Sequence, residues 1–443
     1  MERPLFMPGH LALQAEFYQF VLAAVYHADG LWGDATFDLY ARALPDGHGY
    51  LVAAGLGTLL DHLAAFSFSE AEVELLRQEP RFANVSPSYF DWLRRFRFRG
   101  DVWAVPEGTV VFPGEPIVRI TAPLGACTLL ETKAIQIVSA ATAIATRAAR
   151  MVDVAKGHAV LDFGSRRCAG PEAALLAARA AYVGGVSATT NALAALHLGI
   201  PPMVTMADTF LAAYGDDRLA YDAFRLHFSG LAHLALPDDD PVDGVKRFLP
   251  FRKEVRTVRI DHEDLDRVSR TVRAALDANG MRHVRILGSG SLDEMRIRRL
   301  VDAGAPVQLF AVGRALAAAS DQGMRVAFRI AEMMRGARAT PVLREGSAPY
   351  PGRKQICRHP DHDVLCLEHE VWGQERLGAV PLLRCVLRGG ERVEAEPSLA
   401  QSRQHRATQL QAFPAAVRDV ERPATWPVRA SDALSEMTVA ATG

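Results

Sequence analysis

The chain has only five lysines and five cysteines in 443 residues, and nowhere a long unbroken apolar run. Cys127, Cys168, Cys357, Cys366 and Cys385 are odd in number and scattered. That excludes a disulfide scaffold and favours a reduced, cytoplasmic protein. The most apolar stretch, 135–149, is interrupted by Gln136, Ser139, Thr142 and Arg147, which excludes a membrane-spanning helix. The opening MERPLFMPGH has no charged stretch ahead of a long apolar one, so it is no signal peptide. Excess charge of one sign is missing as well. Fifty basic residues stand against 51 acidic ones, net −1, leaving no global field to recruit nucleic acid or an anionic membrane. H-E-x-x-H and G-x-S-x-G are absent, which removes the usual zinc-protease and hydrolase readings. What is there is ordinary for a globular protein: 49% apolar and 23% charged residues, and a length that allows two or three domains.

The first hundred residues read as helix mixed with short strand. Apolar spacing predicts helices over 11–27, 55–66 and 70–78, and alternation predicts a half-buried strand over 34–43. Residues 102–123 (VWAVPEGTVVFPGEPIVRITAP) form a β unit punctuated by Pro-Glu-Gly and Pro-Gly turns, and 124–154 a long helix. From residue 158 short apolar runs recur: AVLDF (159–163), MVTMA (203–207), LAHLAL (231–236), VRTVRID (255–261), HVRILGSG (283–290) and VQLFAVG (307–313). Amphipathic stretches such as 265–280 and 292–304 lie between them. Apolar strands alternating with helices mean a parallel sheet. The fold class is α/β: an irregular, closed or partly closed (β/α) barrel over 126–340, with an open doubly wound sheet as the competing topology. An N-terminal α+β domain occupies 1–125. A small β-containing C-terminal region, 341–443, packs back on it. The tail beyond 396 packs over earlier domains or frays.

Parallel α/β folds collect functional groups at the C-terminal ends of their strands. Here those ends carry Asp162, Arg166 and Arg167; Thr205 and Asp208; Asp238, Asp239 and Asp240; Arg259, Asp261, His262, Glu263 and Asp264; Gly288, Ser289, Gly290 and Ser291; and Gly313 with Arg314. A Gly-Ser-Gly-Ser turn opening a helix at Leu292 lets backbone N–H groups approach a phosphate; two ordinary tight βα turns are the equal alternative. The carboxylates suit a divalent metal or sugar hydroxyls, and the arginines an anionic substrate. Together they fit a phosphorylated sugar with a diphosphate leaving group and Mg²⁺. Taken singly, Asp208 and Asp264 are equally well read as helix caps. Cys357, His359, His362, Cys366 and His369 invite a zinc reading, but their spacing fits no common structural zinc pattern.

Several stretches, in order, resemble one family. GDVWAVPEGTVVFPGEPIVRITAPL, DFGSRRCAGPEAALLAARAAYVGG, VSATTNALAALHLGIP, LGSGSLDEMRI, AGAPVQLFAVG and YPGRKQICR look like segments of nicotinate phosphoribosyltransferase, a type II phosphoribosyltransferase. The resemblance covers about residues 11–370. It implies transfer of phosphoribosyl from phosphoribosyl diphosphate to nicotinate or a related aromatic acid, with release of diphosphate. It also implies Mg²⁺, small-molecule partners only, and a homodimer with shared active sites. By the resemblance, Tyr18 stacks on the base, although its helical spacing alone reads as a core aromatic. Phe163, Arg166, Arg167, Thr205, Arg259 and His262 face the substrate, and Asp261 and Asp264 serve the sugar, with Asp261 toward the metal. Gly288, Ser289, Gly290, Gly313 and Arg314 hold phosphate.

The departures fall within the same motifs. Asp208 stands where the family has the histidine phosphorylated by ATP, so ATP is not expected to be obligatory. His262-Glu263 replace two small residues, and Arg314 replaces a threonine. A binding protein without turnover, a sensor of a phosphoribosyl ligand, is the alternative that this pattern leaves open.

Overall fold

The computed structural model describes residues 12–228, 233–236, 240–317, 324–343 and 350–442. It divides into two compact units, one of residues 1–142, 321–398 and 424–443, the other of 143–320 and 399–423.

The first unit is built on a seven-stranded antiparallel sheet. Its order is Arg338–Pro341, Val326–Arg335, Asp34–Ala41, Pro116–Pro123, Asp101–Ala104, Arg384–Arg388, Glu391–Arg392. The alternation in 34–43 predicts a strand wet on one face, but Asp34–Ala41 is central and buried on both. Its polar Asp38 is tolerated because the equally buried Lys354 ammonium lies 2.7 Å from it. The helices expected from spacing form at Phe17–Ala28, Leu56–Ala65 and Glu70–Gln78. Ser69 and Glu72 close a reciprocal capping box on the third. A second, four-stranded sheet runs Val380–Pro381, Lys354–Arg358, Asp363–Leu367, Val428–Ala430.

The second unit holds a six-stranded parallel sheet: β1 (Ala159–Asp162), β2 (Ala188–Thr189), β3 (His233–Ala235), β4 (Thr257–Asp261), β5 (Arg285–Ser289) and β6 (Leu309–Val312). Its spatial order is β2-β1-β6-β5-β4-β3. The first strand pairs with the last, so the order is cyclic, as in a barrel. The seam between β2 and β3 carries no ladder among the described residues. One expected strand is corrected. MVTMA (203–207) is irregular, and the second strand is Ala188–Thr189 instead. The segment after Pro201-Pro202 makes only a bridge from Pro202 to Thr189, because proline cannot donate to a ladder.

The helix Leu265–Ala278 buries Leu265, Val268, Val272 and Leu276 along one stripe and is capped by Asp264. The helix expected from Leu292 starts at Glu294, because Asp293 accepts the Arg296 N–H at 2.7 Å and sets the first turn. The tail does not fray. Leu399–Ala412 is a helix packed on Pro171–Val183, and Arg403 donates to the Gly185 carbonyl at 3.0 Å.

Candidate active site

The C-terminal ends of β1, β4, β5 and β6 surround a cavity of about 550 Å³. From β1 come Phe163, Arg166 and Arg167; from β4, Arg259, Asp261 and Glu263; from β5, Ser289, Gly290 and Ser291; from β6, Gly313 and Arg314.

The turn after β1 is fixed by a buried carboxylate. Asp162 accepts the Gly164 N–H at 2.8 Å and the Thr189 hydroxyl at 2.7 Å. Burial pushes its carboxyl upward, and those two bonds oppose the shift. Thr189 accepts the Asn191 N–H, and the Asn191 amide reaches Ser165 at 3.1 Å. The segment bearing Arg166 and Arg167 is therefore tied at its start, at Gly164 and Ser165. Glycine is needed at 164, where a Cβ would lie 2.3 Å from that of Ala317.

Arg259 and Asp261 alternate out of the same face of β4 and form an ion pair. The Arg259 Nε donates to the Ser289 hydroxyl at 2.9 Å, and that hydroxyl lies 3.0 Å from the Asp261 carboxylate. The Arg259 guanidinium also sits 6.0 Å from the Phe163 ring centroid. Beyond Ser289 the backbone takes φ +108° at Gly290 and +46° at Ser291, left-handed values that Gly290 adopts without strain.

The charge balance of the cavity is uneven. Asp261 is paired with Arg259, and Glu263 with Arg296 at 3.0 Å. Arg166, Arg167 and Arg314 are exposed and have no ion-pair partner among the described residues. Three uncompensated guanidiniums around one cavity call for a multiply charged anion.

Of the residues singled out in the sequence, eleven line this cavity together: Phe163, Arg166 and Arg167, Arg259, Asp261 and Glu263, Ser289, Gly290 and Ser291, and Gly313 and Arg314. The rest sit elsewhere. Gly288 is packed within β5, where a Cβ would meet Val307 at 3.0 Å and Leu265 at 3.3 Å. The Thr205 hydroxyl donates to the Met206 carbonyl. His262 Nδ1 accepts the Asp264 N–H at 2.8 Å. Asp264 caps its helix, and Arg267 holds its carboxyl below the usual range. Tyr18 belongs to the first unit, where its hydroxyl donates to Glu131 at 3.2 Å and the side chain is 48% exposed. Asp208 opens the helix Asp208–Tyr214; its side chain, like Asp238 and Asp239, lies outside the described residues. Sequence reasoning did not single out Arg296 at all. A cation in the first turn of a helix opposes the helix dipole, and that was the one available signal.

The donor sets do not fit a resident metal. Both Asp261 and Glu263 are engaged by arginines, and among the described residues no group of three or more His, Cys, Asp or Glu side chains could hold a metal ion. At the proposed zinc cluster, Cys357 and Cys366 lie 3.5 Å apart in the core of the second sheet, while the His359 and His362 rings stack on each other.

Comparison with known proteins agrees along the whole chain. Residues 13–139 match the nicotinate phosphoribosyltransferase N-terminal domain, 144–325 the quinolinate phosphoribosyl transferase C-terminal domain, and 328–438 the nicotinate phosphoribosyltransferase C-terminal domain. A nicotinate phosphoribosyltransferase of Mycobacterium tuberculosis is 36% identical over 433 residues, 96% of this chain and 92% of the relative. One from Bacillus subtilis is 30% identical over 392 residues, 84% and 79% of the two chains. In fold the chain resembles human nicotinic acid phosphoribosyltransferase, with a TM-score of 0.80 at 24% identity over 97% of this chain and 100% of that one. It also resembles nicotinate-nucleotide pyrophosphorylase of Pyrococcus furiosus, with a TM-score of 0.75 at 22% identity over 93% and 99%. With relatives at this identity and coverage, and family models tiling both units, the chain belongs to the nicotinate phosphoribosyltransferase family.

Proposed function

We propose that the protein transfers phosphoribosyl from phosphoribosyl diphosphate to nicotinate or a closely related aromatic acid, without obligatory coupling to ATP. The observation that carries this reading is the cavity itself. Arg166, Arg167 and Arg314, without ion-pair partners among the described residues, line its wall together with the paired Arg259 and Asp261, and Arg259 lies against Phe163. The bond from the anomeric carbon to the diphosphate oxygen breaks, its electron pair leaves with diphosphate, and the ring nitrogen of the acceptor bonds to that carbon. Negative charge grows on the leaving group as positive charge grows on the sugar. Fixed guanidiniums stabilise the first, and the Asp261 carboxylate the second. Phe163 and the Arg259 plane offer an apolar and a cationic face to an aromatic carboxylate. Magnesium, implied by the family resemblance, does not fit Asp261 or Glu263, whose carboxylates are already engaged by arginines.

The absence of ATP coupling rests on Asp208, which by the family resemblance takes the place of a phosphorylatable histidine. A homodimer is proposed as well. Phe17, Tyr18, Val21, Leu22 and Val25 form an exposed apolar stripe on the helix Phe17–Ala28 that a second copy would cover. Cytoplasmic location follows the cysteine usage, and no described helix is long and apolar enough to cross a membrane. The test is chromatographic detection of a mononucleotide after incubation with phosphoribosyl diphosphate, Mg²⁺ and a panel of pyridine carboxylates. Product with nicotinate or one relative supports the reading. Binding of phosphoribosyl diphosphate with no product across the panel replaces it with a non-catalytic sensor.

A further inference from the structure

We infer that Arg296 is a positioning residue that clamps the two loops forming the phosphate side of the cavity; the inference rests on the phosphoribosyl reading of that cavity. Arg296 sits in the first turn of the helix Glu294–Asp302, and its side chain is only 15% exposed. Its guanidinium spans two loops. On the β5 side, Nη1 donates to the Gly290 carbonyl at 2.8 Å. On the β4 side, Nη1 donates to the Glu263 carboxylate at 3.0 Å, and Nη2 donates to the His262 carbonyl at 3.3 Å and to the Glu263 carbonyl.

Three features make this more than a surface contact. The carbonyls belong to Gly290 and to residues 262–263, and Glu263, Gly290 and Ser291 all line the cavity. The turn holds a non-glycine residue, Ser291, at φ +46°, a conformation that persists only where neighbours fix it. A cation in a helix's first turn opposes the dipole, and the carbonyls and carboxylate around Arg296 offset that cost. The guanidinium does not line the cavity. It acts through the loops: it keeps the Gly290-Ser291 turn at a fixed distance from the Glu263 loop, and it neutralises a carboxylate that would otherwise repel an incoming phosphate. A planar fork with five N–H donors can bridge both loops, whereas an ammonium on a flexible stem cannot.

The test is calorimetric titration with inorganic diphosphate of the wild type, Arg296→Met, Arg296→Lys and Arg299→Met. Arg299 is exposed on the same helix, so its variant removes the same charge without touching the loops. The expected result is a dissociation constant about tenfold higher for Arg296→Met, an intermediate loss for Arg296→Lys, and a change within about twofold for Arg299→Met. Added guanidinium ion at a sub-denaturing concentration should restore part of the affinity of Arg296→Met, which a general loss of structure would not allow. In kinetics the defect should fall on KM for phosphoribosyl diphosphate more than on KM for the acceptor. Equal losses in Arg296→Met and Arg299→Met, or none in Arg296→Met, overturn the inference. If Arg296→Met does not fold, Arg296→Lys decides: unchanged affinity overturns it, and a several-fold loss upholds it. A wild type that does not bind diphosphate overturns the phosphoribosyl reading itself, a result distinct from the others.

Discussion

Arg259 and Asp261, two residues apart on one strand, hold each other at the cavity wall, and Ser289 of the neighbouring strand is hydrogen-bonded to both. The parallel register places Ser289 directly beside Asp261, so the contact is built by the sheet rather than by a loop. The pair is thus set before any ligand arrives, the arrangement that electrostatic catalysis requires.

Removing the guanidinium should therefore damage both binding and charge stabilisation. Arg259→Ala is expected to lower kcat/KM by about 100-fold or more. Steady-state kinetics with phosphoribosyl diphosphate and the active acceptor check it, and unchanged constants would remove Arg259 from the mechanism.

Arg314 lines the cavity with no ion-pair partner among the described residues, and a threonine is its counterpart in the family resemblance. Arg314→Thr should raise KM for phosphoribosyl diphosphate by about tenfold and flatten its dependence on salt, because exposed charge attraction is screened. A lower KM in the variant would mean instead that Arg314 fills the space of a phosphate.

Glu115 is fully buried in the first unit, and burial, reinforced by the neighbouring Asp363, pushes its carboxyl well above the ordinary 4.5. A carboxyl raised in the folded state contributes stability below 4.5 that is lost as pH climbs toward its folded value. Glu115→Gln keeps an oxygen for the Phe112 N–H, bonded now at 2.8 Å, and removes the titration. Its melting temperature should exceed that of the wild type at neutral pH, with the gap closing in acid. A gap that widens in acid would contradict this assignment.

His62 has the opposite sign. Burial, with Lys133 nearby, lowers it from 6.5 to about 4. The unfolded chain takes up that proton first, so stability should fall as pH drops from 6.5 toward 4. A His62→Gln variant should show a shallower loss across that window in thermal melts. Identical slopes would assign the acid sensitivity elsewhere.

Much of this was legible in the residues. Val-Arg-Ile-Asp and Arg-Ile-Leu-Gly-Ser carry both the strand pattern and the site groups, so β4, β5 and the placement of Arg259, Asp261 and Ser289 at their ends are legible, while the bonds among the three come from the strand register. The Ala188–Thr189 strand was not legible, because two residues give no periodicity and Pro201-Pro202 sits beside an apolar run that only looks like a strand. Gly288 reads as part of a phosphate turn but is a packing glycine, since its neighbours Val307 and Leu265 come from distant sequence. Arg296 gave only the signal of a cation in a helix's first turn: its partners, backbone carbonyls and the Glu263 carboxylate, are brought together only by the folded loops.

The most direct test of the central claim is the rate of diphosphate release from phosphoribosyl diphosphate and nicotinate, measured with and without ATP. On the proposal that Asp208 replaces the family's phosphorylatable histidine, the rate should be the same in both, and no ATP should be hydrolysed in step with product. A rate that requires ATP, with one ATP consumed for each nucleotide formed, would contradict the account.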